Sequence, residues 1–106
     1  MPEQSRGQFI YVFEPVRPGL ITDPDAWTEE DTRMGSEHFA YLQKATQDGI
    51  VILAGRSLDG EGPAVVIFEA DSEEEARTFM EADPFVARGL MRARVHPFRA
   101  ALVRSA

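Results

Sequence analysis

The sequence predicts an α+β domain, with one antiparallel sheet carrying two helices on a single face. Three observations lead to that class: four apolar or aromatic runs of strand length, two segments that open with helix-start chemistry, and their order along the 106 residues. That order is strand, helix, strand, strand, helix, strand. A βαββαβ chain closes into a two-layer sandwich of the ferredoxin-like type, because its helices can then cover one sheet face together.

Residues 8–14 (Gln-Phe-Ile-Tyr-Val-Phe-Glu) are β-branched and aromatic and end at Pro15, which marks a first strand. A loop follows, containing Pro18, Gly19 and Pro24. Thr28 then opens Thr-Glu-Glu-Asp, with acids where the positive end of a helix dipole favours them, so a helix is expected over 29–47. Gly49 is its stop, being free to take the left-handed conformation after a helix. Ile50 to Ala54 and Ala64 to Phe68 are apolar runs around a glycine-rich turn at 55–62, and they read as a hairpin. Ser72-Glu73-Glu74-Glu75 is a capping-box pattern, in which the serine oxygen and the third-position glutamate each satisfy a free backbone amide. That second helix extends to about Ala82 and is closed by Pro84. A last extended stretch runs from Met91 to Val103, and Pro97 within it is tolerable only on an edge strand.

The length fits one domain over residues 1–106, with a core at about 8–103. A hydrophobic content of 43% excludes a disordered chain, and no apolar run approaches the ~18 residues of a membrane-spanning helix. Eleven basic against eighteen acidic side chains give 11 − 18 = −7, which repels phosphate backbones. The third strand, Ala-Val-Val-Ile-Phe-Glu, also lacks the basic and aromatic signature of an RNA-binding sheet, so nucleic acid is not an expected partner. No cysteine is present, and His38 and His96 are the only imidazoles, so neither a transition-metal site nor a thiol nucleophile is expected. The N-terminus, Met-Pro-Glu-Gln-Ser-Arg-Gly, has no apolar signal-peptide stretch, and the expected location is cytoplasmic.

The strands are apolar on both sides, yet two helices cover only one face. The other face is expected to meet a second copy of the chain, closing a dimeric α/β barrel; long loops folded over it are the alternative.

Chemistry is expected where polar residues occupy apolar positions. Met34, His38, Leu42 and Ala45 are spaced by three and four, which puts His38 in the stripe that faces the sheet. On the second helix Ala76, Phe79 and Met80 form the inward stripe, and Asp83 continues it. Helices packed on one sheet lie ~8 to 10 Å apart, close enough to join an imidazole to a carboxylate and orient one ring nitrogen. Taken alone, each reads first as structural, His38 as a satisfied core histidine and Asp83 as the cap of the turn before Pro84; the coincidence of both on inward stripes is what sets the functional reading level with the structural one.

The motifs His38-Phe39-Ala40-Tyr41-Leu42, Gly49 and Gly55 flanking a strand, Ser72-Glu73-Glu74-Glu75-Ala76, Asp83-Pro84-Phe85, Gly89-Leu90 and His96-Pro97-Phe98 together resemble the YciI-like (YCII-related) domain family, over Phe9 to Leu102. The resemblance implies a ferredoxin-like fold that dimerises into an α/β barrel, with an active site at the helix-one histidine and the Asp-Pro aspartate. These correspond to His38 and Asp83. One branch of the family resembles muconolactone isomerases and removes hydrogen chloride from chlorinated lactones. Shorter members commonly carry Gly-Pro where this chain has Gly55-Arg56-Ser57.

Arg56 after the second strand, and Arg92 and Arg94 alternating with His96 on the last, are candidates for binding a carboxylate-bearing ligand; solvated edge-strand charge is the alternative. Tyr11 and Phe85 complete the candidate substrate contacts, although Tyr11 and Phe13 also suit a core, and Trp27 suits either a loop anchor or a lid. The expectation is a small enzyme using a cofactor-free His38/Asp83 dyad to move a proton on a small organic acid or lactone, by isomerisation or elimination. The alternative is a non-catalytic small-molecule-binding or protein-interaction module of the same fold.

Overall fold

The computed structural model describes residues 6–17, 19–20 and 23–104. Residues 1–5, most of the stretch read above for targeting, and Pro18 of the loop lie outside the described residues. The elements run β1 (Gly7–Pro15), a 3-10 turn (Pro24–Ala26), α1 (Glu29–Gln47), β2 (Val51–Arg56), β3 (Ala64–Ala70), α2 (Glu73–Ala82), α3 (Pro84–Ala87) and β4 (Met91–Phe98). This is the ferredoxin-like order, with the one-turn α3 as an addition. Among the described residues no helix is long and apolar enough to cross a membrane.

The strands form one antiparallel sheet in the order β2-β3-β1-β4. The two most apolar strands, β1 and β3, are therefore central, and Pro97 lies on an edge strand opposite Phe9, where its missing N–H costs no ladder bond on the outer side. β4 ends at Phe98, earlier than the extended stretch expected to reach Val103. β2 reaches two residues further than its apolar run, through Gly55 to Arg56, because Gly55 and Arg56 pair with Val65 and Ala64. That extension takes Arg56 out of the turn and gives it a fixed face.

Helix ends follow their local chemistry. Thr28 accepts from the Asp31 N–H while the Asp31 carboxylate accepts from the Thr28 N–H, a reciprocal cap at the start of α1. Gly49, at φ +82°, takes the left-handed turn that leads out of α1. Ser72 caps α2 by accepting from Glu75 N–H, but the Glu75 carboxylate reaches one residue further back than expected, to the N–H of Asp71.

Phe9, Tyr11, Val66 and Phe68 point from the sheet into Leu42, Ala45, Ala76 and Met80 of the helices and make the main core. A second cluster, Leu20, Met34, Phe85, Leu90 and Met91, closes the end where α3 meets β4. Phe13 packs against both. The opposite sheet face carries half-buried Ile10, Val12, Val65 and Ile67 with no helix over them.

Candidate active site

Both expected stripes face inward: Met34, Leu42 and Ala45 are buried on α1, as are Ala76 and Met80 on α2. His38 and Asp83 meet between them. His38 Nδ1 stands 2.8 Å from Asp83 Oδ1, with the imidazole 17% exposed and the carboxylate 0% exposed. Asp83 is at once the C-cap of α2 and the N-cap of α3, so a change of helix direction, enforced by Pro84, fixes its backbone.

Three donors converge on this buried carboxylate. The Phe85 N–H donates to Oδ1 at 3.0 Å, and the Tyr11 hydroxyl donates to Oδ2 at 2.8 Å. An ionised carboxylate only accepts, so opposite one His38 Nδ1–H is the third donor and Nε2 is the ring nitrogen left without a proton. Burial, then the Asp83 charge and its hydrogen bond, push the Tyr11 phenol well above the ordinary tyrosine range, so it remains an O–H donor. Burial and the Asp83 charge also push Tyr41 up to about 12. Its hydroxyl donates to the Phe79 carbonyl at 2.8 Å and ties α1 to α2 beside the dyad.

The imidazole plane is set by aromatic packing. Phe85 stacks on it at a 4.0 Å centroid distance, and Phe13 meets it edge-on at 5.5 Å. His38, Phe13 and Phe85 then form part of the wall of a cavity of about 1000 Å³ between α1 and the β2–β3 half of the sheet. Leu42, Ala54, Val66 and Met91 extend that wall, and the exposed residues of β2 form its open side.

The expected site residues divide by location. Arg56 and Phe85 line the cavity with His38. Tyr11 does not: it is fully buried beneath Asp83 and holds the carboxylate from the core side. Arg94 pairs with Val12, and Arg92 and His96 with Glu14 and Ile10, which places all three on the sheet face away from the dyad. The guanidinium cluster conceivable from sequence is thus split by strand alternation, with Arg56 alone on the helix side. Trp27 proves to be both anchor and wall: its indole N–H donates to the Leu20 carbonyl at 2.7 Å while its ring lines the cavity. Gly35 makes room for it, since a Cβ there would stand 3.1 Å from the indole. A glycine within a helical pattern was the one local signal of that close approach.

The family model of the YCII-related domain matches residues 19–99. The chain belongs to the YCII-related domain family. Both elements of the dyad and all of the cavity-lining helix α1 fall within the matched part of this YCII-related domain. A similar structure is that of 5-chloro-2-hydroxyhydroquinone dehydrochlorinase from Burkholderia phenoliruptrix AC1100, solved with 2,5-dihydroxybenzoquinone. It has a TM-score of 0.63 and 22% sequence identity, covering 87% of this chain and 93% of that chain. The likeness is one of fold. No curated protein matches the chain in sequence.

Proposed function

We propose that this YCII-related domain is a small-molecule enzyme in which His38 transfers a proton. The observation that carries this reading is the position of His38, hydrogen-bonded through Nδ1 to a fully buried carboxylate while its ring lines a cavity. Nε2 would take a proton from a carbon beside a carbonyl, the C–H electron pair becoming an enolate. The Asp83 charge would stabilise the imidazolium that forms. Return of the proton to another carbon completes an isomerisation; departure of a leaving group with its electron pair completes an elimination. Each step uses groups of the chain itself, without a cofactor. The fold likeness to a dehydrochlorinase solved with a flat, oxygenated ring favours elimination and small cyclic substrates. We further propose that the protein acts as a homodimer closed over the apolar sheet face, and that it acts in the cytoplasm.

The test is exchange of substrate carbon-bound hydrogen in D2O. Small keto acids, lactones and hydroxyquinones are incubated with the protein and followed by proton NMR. Loss of C–H signal with the wild type, abolished in His38→Gln, supports proton transfer; equal behaviour of the two proteins overturns it.

One observation favours a second reading, a binding module without turnover. Asp83 caps α3 as well as meeting His38, so the same pair joins α1 to the α2–α3 corner and has a structural use.

A further inference from the structure

We propose that Arg56 is the anion-receiving end of the cavity, and that the ligand is a small flat molecule bearing one carboxylate or comparable oxyanion. This rests on His38 being the reacting group and adds where the other end of the ligand is held.

Strand register supplies the geometry. Arg56 pairs with Ala64, and the neighbouring Val65 pairs with Val12, so Phe13, Ala64 and Arg56 occupy one row across β1, β3 and β2. Alternation puts that row on the same face as Tyr11, Val66 and Ala54, the helix side. Two strand spacings separate Arg56 from Phe13, about 10 Å between backbones, and the Phe13 ring meets the His38 imidazole edge-on. The flexible arginine stem spans part of that gap, leaving a length suited to one substituted ring.

Charge supplies the selectivity. Among the described residues Arg56 is the only formally charged side chain on the cavity wall other than the ionisable His38; the remaining polar residues there, such as Gln43, Thr46 and Gln47, are neutral. Among the described residues it forms no ion pair. The nearest acid in sequence, Asp59, accepts from the N–H groups of Glu61 and Gly62 at 2.9 and 3.0 Å and is committed to its own loop. Arg92 and Arg94 lie on the other side of the sheet and do not compete. In a chain of net charge −7, an uncompensated guanidinium beside apolar walls attracts an oxyanion, which it can hold by two parallel hydrogen bonds.

The experiment compares benzoate with benzamide, which share the ring and differ in charge, in titrations of nitrogen-15-labelled protein followed by NMR. We expect benzoate to bind at least tenfold more tightly and to shift the amides of Ala54, Gly55 and Phe13. Arg56→Gln should erase that preference while leaving benzamide binding unchanged, Arg56→Lys should keep part of it, and Arg94→Gln should keep it all. Equal binding of the two probes, binding of neither at millimolar concentration, or a preference that survives Arg56→Gln overturns the proposal. His38→Gln should retain the preference. Wild-type and His38→Gln proteins that behave alike in the D2O exchange while both keep the preference therefore strike only the proton-transfer reading, whereas absence of the preference in wild-type protein that does exchange strikes only Arg56.

Discussion

The Tyr11 hydroxyl and the Asp83 carboxylate, 72 residues apart, form a 2.8 Å hydrogen bond with both residues fully buried. Tyr11 stands on the central strand and Asp83 at the junction of α2 and α3, so this bond connects the sheet to the corner that orients His38. Under the proposed function Tyr11 would act on the imidazole through Asp83, as a positioning residue.

Tyr11→Phe keeps the ring and removes the donor, leaving Oδ2 of Asp83 unpaired in the core. We expect a loss of about 1–3 kcal/mol in chemical denaturation, the usual cost of an unsatisfied buried polar atom. Any turnover should fall through kcat with KM unchanged and with an altered pH profile, since Tyr11 is buried and does not line the cavity. An unchanged denaturation midpoint would remove this bond from the account.

A pair kept only for function would make His38→Leu neutral, but the complete burial of Asp83 argues otherwise. The leucine leaves the carboxylate with two of its three donors, Tyr11 and the Phe85 N–H. The expected destabilisation is roughly 1–3 kcal/mol, below the 3–5 typical of a fully broken buried pair. The double variant His38→Leu/Asp83→Asn should recover part of it. A loss at the upper figure would favour the structural role of the pair.

The open sheet face predicts a homodimer. Light scattering should return about twice the 11.8 kDa of one chain. Ile67→Arg, on the face away from the helices, should shift the mass towards the monomer while preserving the circular dichroism spectrum. A wild-type mass of one chain at micromolar concentration would remove the barrel.

Asp31 carries a pH-dependent share of stability. The Thr28 N–H, then the Arg17 guanidinium, hold its carboxyl below the usual aspartate range. A carboxyl lowered in the folded state stabilises above its unfolded value of about 3.9 and loses that contribution as pH falls through its folded value. Asp31→Asn should therefore be less stable than wild type at pH 7, with the gap closing towards pH ~2. Parallel stability curves over that range would contradict the assignment.

Gly35→Ala opposes two effects of similar size. Alanine favours the helix by about 1 kcal/mol, while its Cβ would press on the Trp27 ring 3.1 Å away. We expect a net stability change within about 1 kcal/mol together with a clear shift in the emission of this single tryptophan. Unaltered emission would mean that the indole does not rest on α1.

Local chemistry alone determined most of the fold. Thr28, Gly49, Ser72 and Pro84 set helix ends through their own hydrogen bonds and backbone preferences, and these act within a few residues whatever the rest of the chain does. The inward stripes of α1 and α2 follow from a period of 3.6 residues, which is why His38 and Asp83 were recognisable before their contact was known. The tertiary structure decided what depends on registration between distant segments. Arg56 and Arg94 look alike in sequence, but a shift of one residue in pairing exchanges the two faces of a strand, and only the ladder places one in the cavity and the other on the open face. Tyr11 has the same apolar context as Phe9 and Phe13; its hydroxyl acquires a partner only because the α2–α3 corner docks above β1 and brings a carboxylate within 2.8 Å.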